Sequence, residues 1–311
     1  MRCVRRSGSA RSFMSWIACS LVAAFFLGCY ELCTKHAVRS NAVLPVLFLS
    51  TVCGALVWGT LLLVQAVSPA ALPAGLIVPS ITWVQHLQLL LKSLIVASSW
   101  VCTYFALKHL PLSIASPIRA TGPVWTVVGA MAVLVERPSW MEFLGIATAL
   151  VSFVCLSLAG LKEGIRFHRD RWIGFMVAGT VLGAVSSLYD KYLLGVLHFP
   201  VATVQAWFAI YLVVVFLPLA FGWWRRWWPR NEFHWRWSIP CIAAMLLISD
   251  YLYFMALREP DALISLVSGI RRGSTLIAFA GSLLFFGERN GWQKLPAVLG
   301  VLLGILLIVM G

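Results

Sequence analysis

The sequence has few charged residues, and acidic residues are the scarcer kind. Only 11% of its 311 residues are charged, with 11 Asp and Glu against 24 Lys and Arg. Water-soluble domains carry about 25% charged residues, so this composition excludes an ordinary soluble protein. Apolar runs of about 20 residues follow one another instead, the length that a helix needs to cross a bilayer. With 61% hydrophobic residues and a mean hydropathy of +0.90, the chain is predicted to be a polytopic membrane protein.

Several patterns that would indicate other classes of protein are missing. The chain has no HExxH zinc motif, no GxSxG nucleophile turn, no GxxxxGK[ST] phosphate loop and no acidic cluster in a loop. These absences argue against a membrane enzyme that acts on lipid-linked substrates. The alternation of apolar and polar residues that marks a β-barrel is also missing. We therefore predict an all-α protein that is not an enzyme.

Cysteines are present, but their pattern predicts neither disulfides nor a metal centre. Most of the eight cysteines, among them Cys19, Cys53, Cys102 and Cys155, lie within apolar runs, which disfavours a disulfide framework. Cys29, Cys33 and His36 share a helical face that would suit a soft metal, but the sequence shows no fourth ligand. Packing of small side chains explains the two cysteines better. We expect no metal and no cofactor.

The excess of basic residues, a formal net charge of +13, lies mainly in short segments between apolar runs. Basic residues in such loops act as topology signals and contact anionic lipid head groups. The segment WWRRWWPRNEFHWRW at 223–237 mixes Trp and Arg, which is typical of an interfacial anchor. We therefore expect the lipid bilayer as a partner, and no nucleic acid.

Apolar runs separated by charged, Pro-rich or Gly-rich breaks predict ten transmembrane helices. The segment at 68–80 contains three prolines and no charge, and it is predicted to be a loop at the membrane surface. The predicted spans are 13–37, 42–67, 86–108, 111–135, 139–161, 172–196, 199–223, 238–258, 261–286 and 291–310.

The sequence contains an internal repeat. A displacement of 152 residues places SIASPIR (113–119) on SLVSGIR (265–271), and ERPSW (136–140) on ERNGW (288–292). Five spans per half is an odd number, so the two halves must enter the membrane from opposite sides. Inverted repeats of this kind build secondary transporters whose substrate site lies between the halves. We predict two inverted five-helix repeats, at 1–161 and 172–311.

At this point the chain resembles the drug/metabolite transporter superfamily, and specifically its EamA-type transporters. The resemblance covers nearly the whole chain and is carried by the paired Glu-Arg motifs at 136–137 and 288–289, the Trp that follows each, and Pro123. It implies ten helices in two repeats and the transport of small metabolites. The chain departs from the common pattern in its intramembrane arginines and in Thr275, which stands where a second proline is expected.

Charged residues inside the predicted spans are the candidate functional residues, because intramembrane charges usually mark substrate or ion pathways. Arg119, Arg271 and the adjacent Arg272 could bind an anionic group, since Arg suits planar carboxylates and phosphates. The alternative is that they form structural ion pairs, Arg119 with Glu31 and Arg271 with Asp190. Depths estimated along the helices allow both pairs.

Asp250, twelve residues into the eighth span, is the deepest acidic residue. It could bind a proton that couples transport to a gradient, because a low dielectric favours the neutral carboxyl group. The alternative is a structural bond to Tyr251, Tyr253 or Arg272. Trp100 and Tyr104, one turn apart on the third span, are candidates for an aromatic cavity wall, with helix packing as the alternative.

The first hypothesis is therefore a secondary transporter of small polar metabolites, anionic or zwitterionic, in the plasma membrane, the inner membrane in a bacterium. The alternatives are a flippase or efflux carrier of amphipathic lipids or drugs and, less favoured, the enzyme considered above. The count of basic residues places the loops opposite the N-terminus in the cytoplasm, whereas the resemblance implies a cytoplasmic N-terminus. The sequence leaves orientation, substrate, coupling ion and assembly open, with a homodimer as one alternative.

Overall fold

The structure, a computed structural model, describes most of the chain. The described residues are 4–38, 41–109, 118, 122–135, 138–158, 171–227, 232–259 and 262–286, with 296, 299–300, 302–304, 306–307 and 310. Within these ranges every regular element is helical, as the composition predicts.

Helices follow the predicted spans closely where the chain is described. The first five are α1 Val4–Val38, α2 Val43–Val67, α3 Trp83–His109, α4 Gly122–Gly129, which continues as a π-helical turn at Ala130–Leu134, and α5 Trp140–Leu158. The next five are α6 Arg171–Lys191, extended by a π-helical turn at Tyr192–Val196, α7 Val201–Trp224, α8 Ser238–Arg258, α9 Ile264–Arg271 and α10 Ser274–Phe286.

Six of these helices are long and apolar enough to cross a membrane, namely the main parts of α1, α2, α3, α6, α7 and α8. Their exposed faces carry large apolar side chains such as Leu56, Leu63 and Val214. An exposed apolar face is stable in contact with lipid rather than with water. Most of the tenth predicted span, 291–310, lies outside the described residues.

The prediction of one continuous helix over 261–286 is wrong. α9 ends at Arg271 and α10 begins at Ser274. At the break, the backbone N–H of Arg272 donates to Gly269 O at 3.1 Å, and the N–H of Gly273 donates to Ile270 O at 2.8 Å. Such three-residue bonds tighten the last turn of a helix, and glycine commonly follows a helix end.

The helices of the two parts of the chain pack against each other. α1 packs mainly on α8, α2 on α7 and α3 on α6. Glycine permits the closest approach between α3 and α6, because a Cβ at Gly179 would lie 3.1 Å from both Ser99 O and the backbone nitrogen of Thr103. The Ser99 hydroxyl donates to Gly179 O at 2.7 Å across this contact. These contacts place α1, α2, α3, α7 and α8 around a common interior.

The segment at 68–80 is more ordered than the predicted surface loop. It contains short 3₁₀ turns at Pro69–Ala71 and Ala74–Leu76. The Gln65 side chain donates to Val78 O at 2.7 Å and accepts from Val78 N–H at 2.8 Å, so both backbone groups of Val78 are satisfied. The Val78 side chain is buried with Trp58 and Ala202. Hydrogen bonds from the Gln65 side chain thus hold a segment that has only short helical turns against the bundle.

Candidate functional site

A cavity lies between α1, α2, α3, α7 and α8. Its wall is mainly apolar, with contributions such as Val46, Leu212 and Leu247. Trp100 and Tyr104 on α3 both contribute to the wall. Its polar lining consists of Tyr30, Thr34, Ser50, Thr51, Tyr104, Gln205 and Asp250. A concave, mostly apolar space with a few polar groups is the usual form of a small-molecule site.

Asp250 connects this cavity to an ion pair. Its Oδ1 accepts a hydrogen bond from Arg271 Nη2 at 2.5 Å. The Arg271 guanidinium also lies over the Tyr253 ring, with Cζ 4.1 Å from the ring centroid. Among the described residues that line the cavity, Asp250 carries the only charge. Asp250 therefore belongs to the cavity lining, and its carboxylate is bound by Arg271, which does not line the cavity.

Asp190 has a different partner from the predicted one. The expected pairing of Asp190 with Arg271 is wrong, because Asp190 Oδ1 accepts from Lys92 Nζ and Arg271 is bound to Asp250. Lys92 and Asp190 are both buried, and Lys92 Nζ lies 4.2 Å from the centroid of the Phe208 ring. Depth along a helix fixes height in the membrane but not the direction of a side chain, so it could not decide between the two cations.

Sequence reasoning missed Lys92. It is the one charged residue in the interior of the third predicted span, 86–108. The rule that singled out the arginines, that intramembrane charges are functional or paired, would have found it. The two pairs are close neighbours, since Asp190 interacts electrostatically with Asp250 and Arg271 as well as with Lys92. Together they form a neutral cluster of four charges.

Of the other two predicted arginines, the structure describes only Arg272. Arg272 points toward α4, because a Cβ built on Gly122 would lie 2.6 Å from Arg272 Nη2. Neighbouring residues at a helix end point in different directions, as expected from the helical rotation. Arg119 lies outside the described residues, and so does its predicted pairing with Glu31. Glu31 itself is half-buried on α1.

Hydroxyl and amide groups of the cavity wall are held by nearby backbone carbonyls. Thr34 Oγ1 donates to Tyr30 O at 2.8 Å, Ser50 Oγ to Leu47 O at 2.9 Å and Thr51 Oγ1 to Phe48 O at 2.7 Å. Gln205 Nε2 donates to Leu247 O at 2.5 Å. The Oε1 of Gln205 is buried and has no hydrogen-bond partner in the described part of the chain.

Comparisons with known proteins agree with this architecture. The EamA-like transporter family matches residues 14–158. A search of curated proteins finds no match to this chain. A solved crystal structure aligns with 94% of this chain and 96% of its own chain, with a TM-score of 0.71 and 14% sequence identity, a likeness that shows the fold alone. Together with the apolar helices, this match over 145 of the 311 residues supports a membrane transporter of the EamA type.

Proposed function

We propose that this protein is a secondary transporter that moves small polar metabolites, anionic or zwitterionic, by alternating access. The observation that carries the proposal is the cavity in which Trp100 and Tyr104 share a wall with Asp250, the partner of Arg271. An aromatic wall can hold the body of a metabolite, and the paired charges can bind its polar end. The residues proposed for substrate binding are Trp100, Tyr104, Arg119, Arg271 and Arg272, and those proposed for ion pairing or coupling are Glu31, Asp190 and Asp250.

The break between α9 and α10 supports this function. It follows directly after Arg271, the cation that holds Asp250. Discontinuous helices are common at the substrate and ion sites of secondary transporters, where they place backbone groups and charges in the membrane interior. A broken helix also provides a hinge at which the site can change between two states.

An inverted repeat of five helices in each half, 1–161 and 172–311, provides the two states. The packing supports this arrangement. In such a repeat α1 corresponds to α6, α2 to α7 and α3 to α8. The contact between α1 and α8 then corresponds to the contact between α6 and α3, and the contact between α2 and α7 corresponds to itself. Corresponding serines also make corresponding bonds: Ser99 on α3 donates to Gly179 O on α6, and Ser249 on α8 donates to Ala23 O on α1. Each serine precedes a proposed site residue, Trp100 in one half and Asp250 in the other.

A flippase or efflux carrier of amphipathic lipids or drugs is the second candidate. The mainly apolar wall of the cavity favours it, because such substrates need more apolar contact than small polar metabolites do. The two functions differ in their dependence on charge. A carrier of neutral amphiphiles would retain transport after the Asp250–Arg271 pair is neutralised, whereas a carrier of charged metabolites would lose it.

Counterflow in proteoliposomes tests the proposal. Purified protein is reconstituted and loaded with one unlabelled metabolite at a time, and uptake of the labelled compound is measured. We expect counterflow with a subset of anionic or zwitterionic metabolites. The same vesicles assayed for translocation of labelled lipids test the second candidate. Lipid translocation without metabolite counterflow would replace the first function by the second. We propose the bacterial inner membrane as the location, and a cell-fractionation experiment in the source organism tests it.

A further inference from the structure

We infer that the cavity recognises a protonated amine attached to an apolar body. The inference deepens the proposed function and rests on it, because it names the part of a transported metabolite that enters this cavity. It follows from the hydrogen bonds that the polar groups of the wall already make. After these bonds are counted, most of the polar groups can only accept a further hydrogen bond.

The hydroxyl groups of Thr34, Ser50 and Thr51 have already used their hydrogens. A hydroxyl group has one hydrogen to donate, and each of these three donates it to a backbone carbonyl of its own helix. Each hydroxyl oxygen can then only accept a further hydrogen bond. A ligand that bonds to these groups must therefore donate the hydrogen.

The amide of Gln205 adds another acceptor. The Leu247 carbonyl can only accept, so the amide nitrogen of Gln205 must face it and the amide oxygen must lie on the other side. That Oε1 is the buried atom without a hydrogen-bond partner among the described residues, on a side chain that is 1% exposed. Buried acceptors are nearly always satisfied, so Oε1 is an acceptor that a nearby donor can still use.

Asp250 provides the charge that an amine requires. Its Oδ1 accepts from Arg271, and in the described part of the chain no bond to Oδ2 is seen. Asp250 lines the cavity and Arg271 does not, so Asp250 is the member of the pair that belongs to this wall. An ammonium group has three hydrogens to donate and no acceptor, and it complements this set of groups.

Aromatic side chains complete the match. Tyr30, Trp100 and Tyr104 line the same cavity, and aromatic ring faces attract cations. The Trp100 indole N–H is a donor, but the wall has five acceptors, the side chains of Thr34, Ser50, Thr51, Gln205 and Asp250. The tyrosine hydroxyls serve in either role and do not discriminate. A simple carboxylate would be repelled by Asp250 and by the acceptor oxygens of the wall. Of the two proposed substrate classes, the cavity therefore fits the zwitterion, with its ammonium group bound in the cavity.

A matched series of ligands tests the inference with purified full-length protein in detergent. The probes are 2-phenylethylammonium, phenylalanine, 3-phenylpropionate and 2-phenylethanol, which share one apolar body and differ in charge. Binding is measured by calorimetric titration at neutral pH. We expect the ammonium and the zwitterion to bind about tenfold or more tightly than the carboxylate. Equal or tighter binding of the carboxylate, equal binding of the neutral alcohol, or no binding of any probe would overturn the inference.

Two variants connect the binding to the named groups. Thr51→Val removes a hydroxyl acceptor from the wall at nearly constant volume. Thr60→Val is its control, because the Thr60 hydroxyl also donates to a backbone carbonyl of α2 but is exposed outside the cavity. We expect Thr51→Val to weaken binding of 2-phenylethylammonium by about tenfold, the effect of one hydrogen bond to a charged group, and Thr60→Val to leave it unchanged. Asp250→Asn should remove the preference for the ammonium over the alcohol. A preference that survives both changes contradicts the assignment.

The failure of this inference and the failure of the proposed function give different results. If the ammonium binds but no metabolite shows counterflow, the binding site is correct and the transport function is wrong. If carboxylates show counterflow and the ammonium does not bind, transport is correct and the inference is wrong.

Discussion

Arg271 donates a hydrogen bond to Asp250 at 2.5 Å, and this pair joins the broken helix at α9 to the wall of the cavity. If the pair only holds the two helices together, its members can be replaced jointly. Arg271→Gln alone should destabilise the fold by about 3 to 5 kcal/mol, the cost of leaving one buried charge without its partner. The double variant Arg271→Gln with Asp250→Asn should recover much of that stability.

Transport should respond differently from stability in that double variant. We expect counterflow to stay strongly reduced, because the charges that bind the substrate are gone even when the fold is restored. Stability is measured by thermal unfolding in detergent and transport by counterflow in the same preparation. Full counterflow in the double variant would reduce the pair to a structural role.

The second prediction concerns coupling by Asp250. Asp250→Asn keeps the shape of the side chain but cannot bind and release a proton. If a proton is the coupling ion, uptake driven by a pH gradient should be abolished, whereas residual exchange of substrate persists. Uptake and exchange are compared in the same proteoliposomes with and without the gradient. Accumulation that is unchanged in the variant would remove Asp250 from coupling.

The third prediction concerns the buried pair of Lys92 and Asp190. Lys92→Met or Asp190→Asn alone should destabilise the protein by about 3 to 5 kcal/mol, because each leaves a buried charge unpaired. The double variant should be close to the wild type in stability, since replacement of both charges is often neutral. Neither residue lines the cavity, so the double variant is also expected to keep its counterflow. Loss of counterflow in a stable double variant would show that this pair takes part in transport.

The fourth prediction concerns the contact between α3 and α6. Gly179→Ala should destabilise the protein by about 1 to 3 kcal/mol, because the added Cβ would meet the backbone at Ser99 and Thr103. Gly174 on the same helix is the control, since a Cβ there has no atom within 4 Å. Gly174→Ala should be neutral or stabilising, because Ala favours a helix over Gly. Thermal unfolding distinguishes the two, and an equal effect of both changes would contradict the close packing.

The fifth prediction concerns the aromatic wall. Trp100→Ala should raise the KM for transport by about tenfold, because it removes apolar contact and the stacking of Trp100 on Phe216, whose ring centroids are 6.2 Å apart. Trp100→Phe should have a smaller effect. Trp83→Ala on the same helix is the control, since Trp83 is 83% exposed. An equal change of KM in the two alanine variants would argue against contact between Trp100 and the substrate.

Part of this architecture could be predicted from the sequence because the bilayer imposes a length and a polarity on every span. The bounds of α2, Val43–Val67, differ by one residue from the predicted 42–67, and those of α8, Ser238–Arg258, agree with 238–258. The helix break after Arg271 was not predicted. Arg271, Arg272 and Gly273 carry a helix-end signal, basic residues followed by glycine, but the apolar runs on both sides of them together have the length of one span, and the region was therefore predicted as a single helix.

The amino-acid sequence alone was enough to predict a helical membrane protein, because composition and span length depend on each segment separately. It also singled out Asp190, Asp250 and Arg271, because a charge in an apolar run is conspicuous wherever it lies. Only the tertiary structure decided that Lys92 pairs with Asp190 and Arg271 with Asp250, and that Trp100 and Asp250 share a cavity. Partner choice depends on the rotation and packing of helices that are far apart in the chain, and no property of a single segment records it.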